Sequence, residues 1–255
     1  MKIENTKKQL IVDLESWKTA FIEVDKKNNW KEGRSACTLA KYFTTPNIEE
    51  SNGIKKIKEY FEALGFSNLK FTSAEIEHRS PFDKYKGGTR MQDLVIWGES
   101  EKGSILVCIE AKVDEEFNEL LNEAYKKAKQ EKIKDPNSNR QNRIEELCDK
   151  YLNVSAESIN SEPENNIRYQ LLYYLAGSIC EAEEYGNVVF MPIMVFKTNK
   201  YNETIGEMNR KDYEQFRKAL KFEMCNEEKG IFKRTFEGID VYISYIEIDF
   251  EKLRK

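Results

Sequence analysis

Apolar residues recur along this chain with two different periods. Steps of three and four place Leu10, Leu14, Trp17 and Phe21 on one face of a helix over residues 6–25, which Asn28 and Asn29 end. A short helical run passes through Leu39, Ala40 and Phe43 and stops at Thr45-Pro46, because proline restricts the residue before it. A third helix takes Ser51 or Asn52 as its cap and runs to Leu64, with Gly65 as its stop. The period then changes to two. Residues 69–76 predict a strand with Phe71, Ser73 and Glu75 on one face and Thr72, Ala74 and Ile76 on the other. Residues 78–90 are rich in glycine, proline and charge and read as a loop. Two apolar runs follow, 92–97 and 104–112, joined by the polar turn 98–103; they predict a hairpin of buried strands.

Helical spacing returns near Asp114 or Glu115 and carries Phe117, Leu120, Leu121, Ala124, Tyr125 and Ala128. A loop over 135–142 leads to a short helix over 143–152, then to a polar stretch over 153–166. A stronger helix spans about 167–184, with Ile167, Leu171, Leu175, Ile179 and Ala182 on one face, and Gly186-Asn187 ends it. Residues 188–196 form a β-run, 211–224 a helix and 241–248 a last strand. This order predicts an α/β fold, a mixed sheet flanked by helices, in a single domain over 1–255. Its parts are a helical N-terminal extension (1–65), a core (66–200) and a C-terminal helix and strand (201–255).

Composition narrows the function. In 255 residues there are five cysteines, widely spaced and without a Cys-x-x-Cys pair, and one histidine, His78. Zinc and histidine-based catalysis are therefore disfavoured, and reduced thiols in the cytoplasm are expected. No apolar run approaches the ~20 residues of a membrane helix, so no membrane contact is expected. A net charge of -4 is unusual for a nucleic-acid binder, although an acidic protein can hold a basic cleft. One basic stretch, Lys126 to Lys134 followed by Arg140 and Arg143, could serve as such a patch or as a solvated helix face.

Three ionisable residues interrupt the hairpin's apolar background: Asp93, Glu110 and Lys112. On a strand, Glu110 and Lys112 share a face and lie roughly 7 Å apart, and the hairpin returns Asp93 beside them. Two buried carboxylates next to a lysine need pairing, a metal or altered protonation. A divalent ion, Mg²⁺ or Mn²⁺, held by Asp93 and Glu110 with the Ala111 carbonyl as a further ligand, would meet that need. Lys112 would then orient the attacking water or assist its deprotonation in phosphodiester hydrolysis.

The Asp93 … Glu110-Ala-Lys112 arrangement resembles the PD-(D/E)xK nuclease superfamily, the restriction-endonuclease-like fold, with Gln92 where a proline is usual. Gln170-Leu-Leu-Tyr-Tyr174 is similar to the Gln-x-x-x-Tyr motif of its RecB-like and Cas4-like branches, which adds Gln170 to the site, with Tyr174 one turn on. A wider likeness runs through Trp30-Lys-Glu-Gly-Arg-Ser-Ala36, Thr89-Arg-Met-Gln-Asp-Leu94, Glu110-Ala-Lys-Val-Asp-Glu115 and Arg168-Tyr-Gln-Leu-Leu172. It links the chain to an uncharacterised bacterial restriction-endonuclease-like family. The resemblance implies a metal-dependent nuclease acting on nucleic acid, DNA above all, in restriction, phage defence or repair, with a homodimer as one way to cut both strands.

Other readings of the same residues stand beside this one. Glu110 and Lys112 would also suit a strand-end ion pair, and Asp93 a hairpin cap. Glu59, Glu62, Glu75 and Glu77 are each placed to add a carboxylate or to be simply solvated. Arg168 suits a phosphate contact or an exposed surface, and His78 a structural role. A folded but inactive relative that binds nucleic acid or a protein partner has the same sequence signature.

Overall fold

The computed structural model describes residues 1–24, 29–85 and 89–254. The expected helix end at residue 25, Asn28, Gly87 and Gly88 lie outside these. The described strands are β1 (Lys2–Asn5), β2 (Leu10–Ile11), β3 (Lys70–Pro81), β4 (Thr89–Ser100), β5 (Gly103–Lys112), β6 (Val188–Lys197), β7 (Glu223–Asn226), β8 (Ile231–Phe236) and β9 (Ile239–Asp249). They form one mixed sheet in the order β2-β1-β3-β4-β5-β6-β9-β8-β7. β3, β4 and β5 pair antiparallel, whereas β5, β6 and β9 pair parallel.

β5 lies at the middle of this order, and its residues 105–112 are all buried. That burial accounts for the continuous apolar run, since a central strand covered on both faces cannot alternate polar and apolar positions. One face is covered by α1 (Leu14–Val24), α2 (Ser35–Thr44) and α3 (Asn52–Ala63), which pack against Ile76, Leu94, Ile96, Val107 and Ile109. The other carries α4 (Leu121–Lys134), α5 (Arg140–Leu147), α6 (Tyr169–Tyr185) and α7 (Glu203–Ala219) over Val95, Leu106, Cys108, Val189 and Ile193. Helix ends follow local chemistry. Ser51 Oγ accepts the Ile54 amide at 3.3 Å to start α3, and Gly65 follows its end at φ +74°. No helix is long and apolar enough to cross a membrane among the described residues.

Several elements depart from the sequence expectation. The N-terminal part is not purely helical: β1 and β2 precede α1 and extend the sheet, β1 lying parallel to β3. The stretch expected as loop over 78–90 is entered by strand from both ends, because β3 continues to Pro81 and β4 begins at Thr89. A register shift between Phe71 and Ser73 turns Phe71 to the face of Ala74 and Ile76, opposite to simple alternation. α4 starts at Leu121, so Phe117 and Leu120 precede it, and α7 ends at Ala219 before β7. The helix expected over 143–152 is α5 followed by a π-turn over Cys148–Leu152, and residues 153–166 hold two 3-10 turns that bury Ile159. These segments are short or polar, and tertiary pairing outweighs their weak local signals.

Candidate active site

A break in strand alternation builds the site. On β4, Val95 packs under α6 while Leu94 and Ile96 face the opposite layer. Regular alternation would turn Gln92 away from α6, yet its Nε2 donates to Ser178 Oγ on that helix at 3.3 Å. β3 behaves likewise. Glu75 and His78, three residues apart, meet at 2.7 Å, and His78 reaches Glu181 of α6 at 2.8 Å. The ladder pairs Ile76 with Leu94 and His78 with Gln92, and it skips Glu77 and Asp93 between them. Glu77 adopts φ +50°, the left-handed conformation that such a break requires.

Released from the ladder, Asp93 reaches β5. Its Oδ2 accepts the Ala111 amide at 2.7 Å, just past the last β4–β5 pair, Leu94 with Ile109. Asp93 also lines a cavity of about 340 Å³ together with Glu77, Met91, Arg34 and Glu115. Glu110 lies deeper, 2% exposed, and Lys112 beside it is 5% exposed. Lys112 Nζ is 2.9 Å from Glu110 Oε1, and Gln170 Nε2 of α6 donates to the same oxygen at 2.6 Å. The other oxygen, Oε2, is taken by the Arg90 guanidinium.

The structure thus joins Asp93, Ala111, Glu110, Lys112 and Gln170 as one group and adds Arg90, which sequence reasoning did not single out. The signal was a charge count: two buried carboxylates with one lysine leave a negative charge unmatched, and Arg90 lies three residues before Asp93. Burial first, then the Glu110 charge, pushes Asp93 up to about 7, against Arg90, the Ala111 amide and Lys112. Burial alone would raise Glu110 as well, but Arg90 and Lys112 hold it below the ordinary carboxylate range. Burial alone would lower Lys112, but the charges of Glu110, Glu115 and Asp93 together outweigh it and keep the amine above its usual value. It is therefore a charged donor, suited to orienting a water or a phosphate oxygen rather than to taking a proton.

The remaining candidates separate. Glu77, 9% exposed, lines the Asp93 cavity, whereas Glu75 pairs with Lys8 and His78. Glu59 and Glu62 stay exposed on α3, Glu59 beside Lys56 at 2.8 Å. His78 bridges Glu75 and Glu181, a structural role. Tyr174 donates to the Cys108 carbonyl in the core. Arg168 pairs with Asp212 at 2.8 Å and meets the carbonyls of Phe117 and Asn118. In the basic stretch, Arg140 is matched by Glu119 and Glu131, and Arg143 by Asp83.

A divalent cation fits this donor set in kind: Asp93 and Glu110 supply hard carboxylate oxygens and Ala111 a carbonyl. The carboxylates are not gathered into a ready cage, for among the described residues no three His, Cys, Asp or Glu side chains form a metal-holding group. Both Glu110 oxygens already carry partners.

Fold and site define a three-layer α/β protein with a buried glutamate, a half-buried aspartate, a lysine and a glutamine at the end of a central hairpin. Residues 11–250 match the family described as "Domain of unknown function (DUF6946)", and the chain belongs to that family. No curated protein and no solved structure matches it.

Proposed function

We propose that this protein is a restriction-endonuclease-like hydrolase of the PD-(D/E)xK type that cuts phosphodiester bonds, DNA first among substrates, with Mg²⁺ or Mn²⁺. The observation that carries the reading is the Asp93–Ala111 contact. It sets a cavity-facing carboxylate beside the Glu110-x-Lys112 strand, and Gln170 is bonded to Glu110. Asp93 and Glu110, with the Ala111 carbonyl, would hold the ion. When bound, such an ion stabilises charge on the phosphate and acidifies water. Gln170 fixes the Glu110 carboxylate from the helix side, so that its orientation does not depend on the ion. Lys112 keeps an ammonium at the floor of the site, able to donate to a water or a phosphate oxygen. Action on DNA would suit the bacterial cytoplasm, in restriction, phage defence or repair. Cutting both strands would engage two copies, as in a homodimer.

The test is cleavage of supercoiled and linear DNA, and of RNA, by wild type, Asp93→Asn and Lys112→Ala with Mg²⁺, Mn²⁺ or EDTA. Ion-dependent cutting by wild type, reduced at least ~100-fold in both variants, is expected. A second reading, an inactive relative that binds nucleic acid or a protein partner, is favoured by one observation: Arg90 and Lys112 already balance Asp93 and Glu110. Identical behaviour of all three proteins would leave that reading.

A further inference from the structure

Arg90 is 8% exposed, and its guanidinium occupies Glu110 Oε2, the oxygen not shared by Lys112 and Gln170. Arg90 and Lys112 already set two cations against Glu110, with Asp93 beside them. A divalent ion added on top would bring two further positive charges up to that guanidinium and ammonium. It would also stand on the same carboxylate as the guanidinium, so that like charges would meet. One of the two must leave.

Arg90 is built to be the one that moves. Its Nε is buried without a partner, so its present seat satisfies it only in part. Its guanidinium carbon lies 5.3 Å from the Tyr173 ring centroid and 5.5 Å from that of Tyr174, and Tyr173 is only half-buried. The rings offer a cation a second hold on the way out. Gly177 leaves room for the stem: a methyl group there would stand 3.0 Å from Arg90 Cβ and 3.2 Å from Cγ.

We propose that Arg90 is the resident counter-ion of Glu110 and that it competes with the divalent cation, so that metal loading drives the guanidinium off the carboxylate toward Tyr173. Arg90 is thus a positioning residue that holds the Glu110 carboxylate in place until the ion arrives. This inference rests on the metal-dependent reading of the site.

The experiment uses the full chain stripped with EDTA and titrated with Mn²⁺ by calorimetry, comparing wild type, Arg90→Met and Arg90→Lys. Arg90→Met should bind Mn²⁺ at least tenfold more tightly than wild type. It should melt lower than wild type in EDTA and gain more from saturating Mn²⁺, with Arg90→Lys in between. A folded Arg90→Met that binds Mn²⁺ no more tightly than wild type overturns the inference alone. Mn²⁺ binding by none of the three overturns both the inference and the metal-dependent reading. Should Arg90→Met not fold, the wild type decides by NMR. Exchange of the Arg90 Nε proton that speeds up tenfold or more with saturating Mg²⁺ supports displacement, and unchanged exchange overturns it.

Discussion

Asp93 accepts the Ala111 amide at 2.7 Å at the place where the β4–β5 ladder has ended, so a side chain continues what the backbone stops doing. The same contact holds Asp93 near Glu110, whose charge adds to burial in raising it. Asp93→Asn keeps an acceptor for that amide and removes the repulsion. Its stability by urea denaturation should stay within about 0.5 kcal/mol of wild type or rise, while any ion-dependent cleavage is lost. A clear loss of stability would mean that the charge itself supports the fold.

Glu110 is the hub of three partners. Glu110→Gln would leave Arg90 and Lys112 buried without their carboxylate, and removing one partner of a buried ion group costs about 3–5 kcal/mol. Urea unfolding should show a loss of that size, larger than for Asp93→Asn. A loss under about 1 kcal/mol would show that water already reaches the group.

His78 stands between Glu75 and Glu181, edge-on to Trp97 at 5.2 Å between centroids. Burial alone would lower it, but the two carboxylates raise it from 6.5 to about 9. Because the folded value exceeds the unfolded one, this stabilisation is complete below about pH 6.5 and is lost as pH rises through about 9. The amount is about 3 kcal/mol, since each tenfold gain in proton affinity is worth about 1.4 kcal/mol. Wild type should therefore lose stability between about pH 6.5 and 9 relative to His78→Gln, in parallel chemical melts. Parallel curves for the two proteins would refute the assignment.

Gly177 brings α6 against β4 at the Arg90 stem. Gly177→Val would place atoms where Arg90 Cβ and Gln92 Nε2 lie, so overpacking of about 1–3 kcal/mol is expected although glycine is itself a poor helix former. Thermal melting reads it. A stabilised variant would mean that α6 can shift without cost.

Much was legible because it depends on strong local periodicity. The hairpin, α6, β6 and the last strand are long apolar patterns, and Glu110-x-Lys112 shares a face by strand geometry alone. β1, β2, β7 and β8 were not legible, since two to six residues with mixed burial carry little signal and form only against neighbouring strands.

By itself, the order of residues determined a mixed α/β sheet with three charged groups on its central hairpin, because side-chain alternation and apolar runs are properties of short segments. Only the tertiary structure decided how those charges are balanced. The left-handed Glu77 breaks the alternation, Gln92 turns to α6, Asp93 reaches Ala111, and Arg90 comes to Glu110. Each of these joins positions that are distant in sequence, and a buried charge finds its partner through space rather than along the chain.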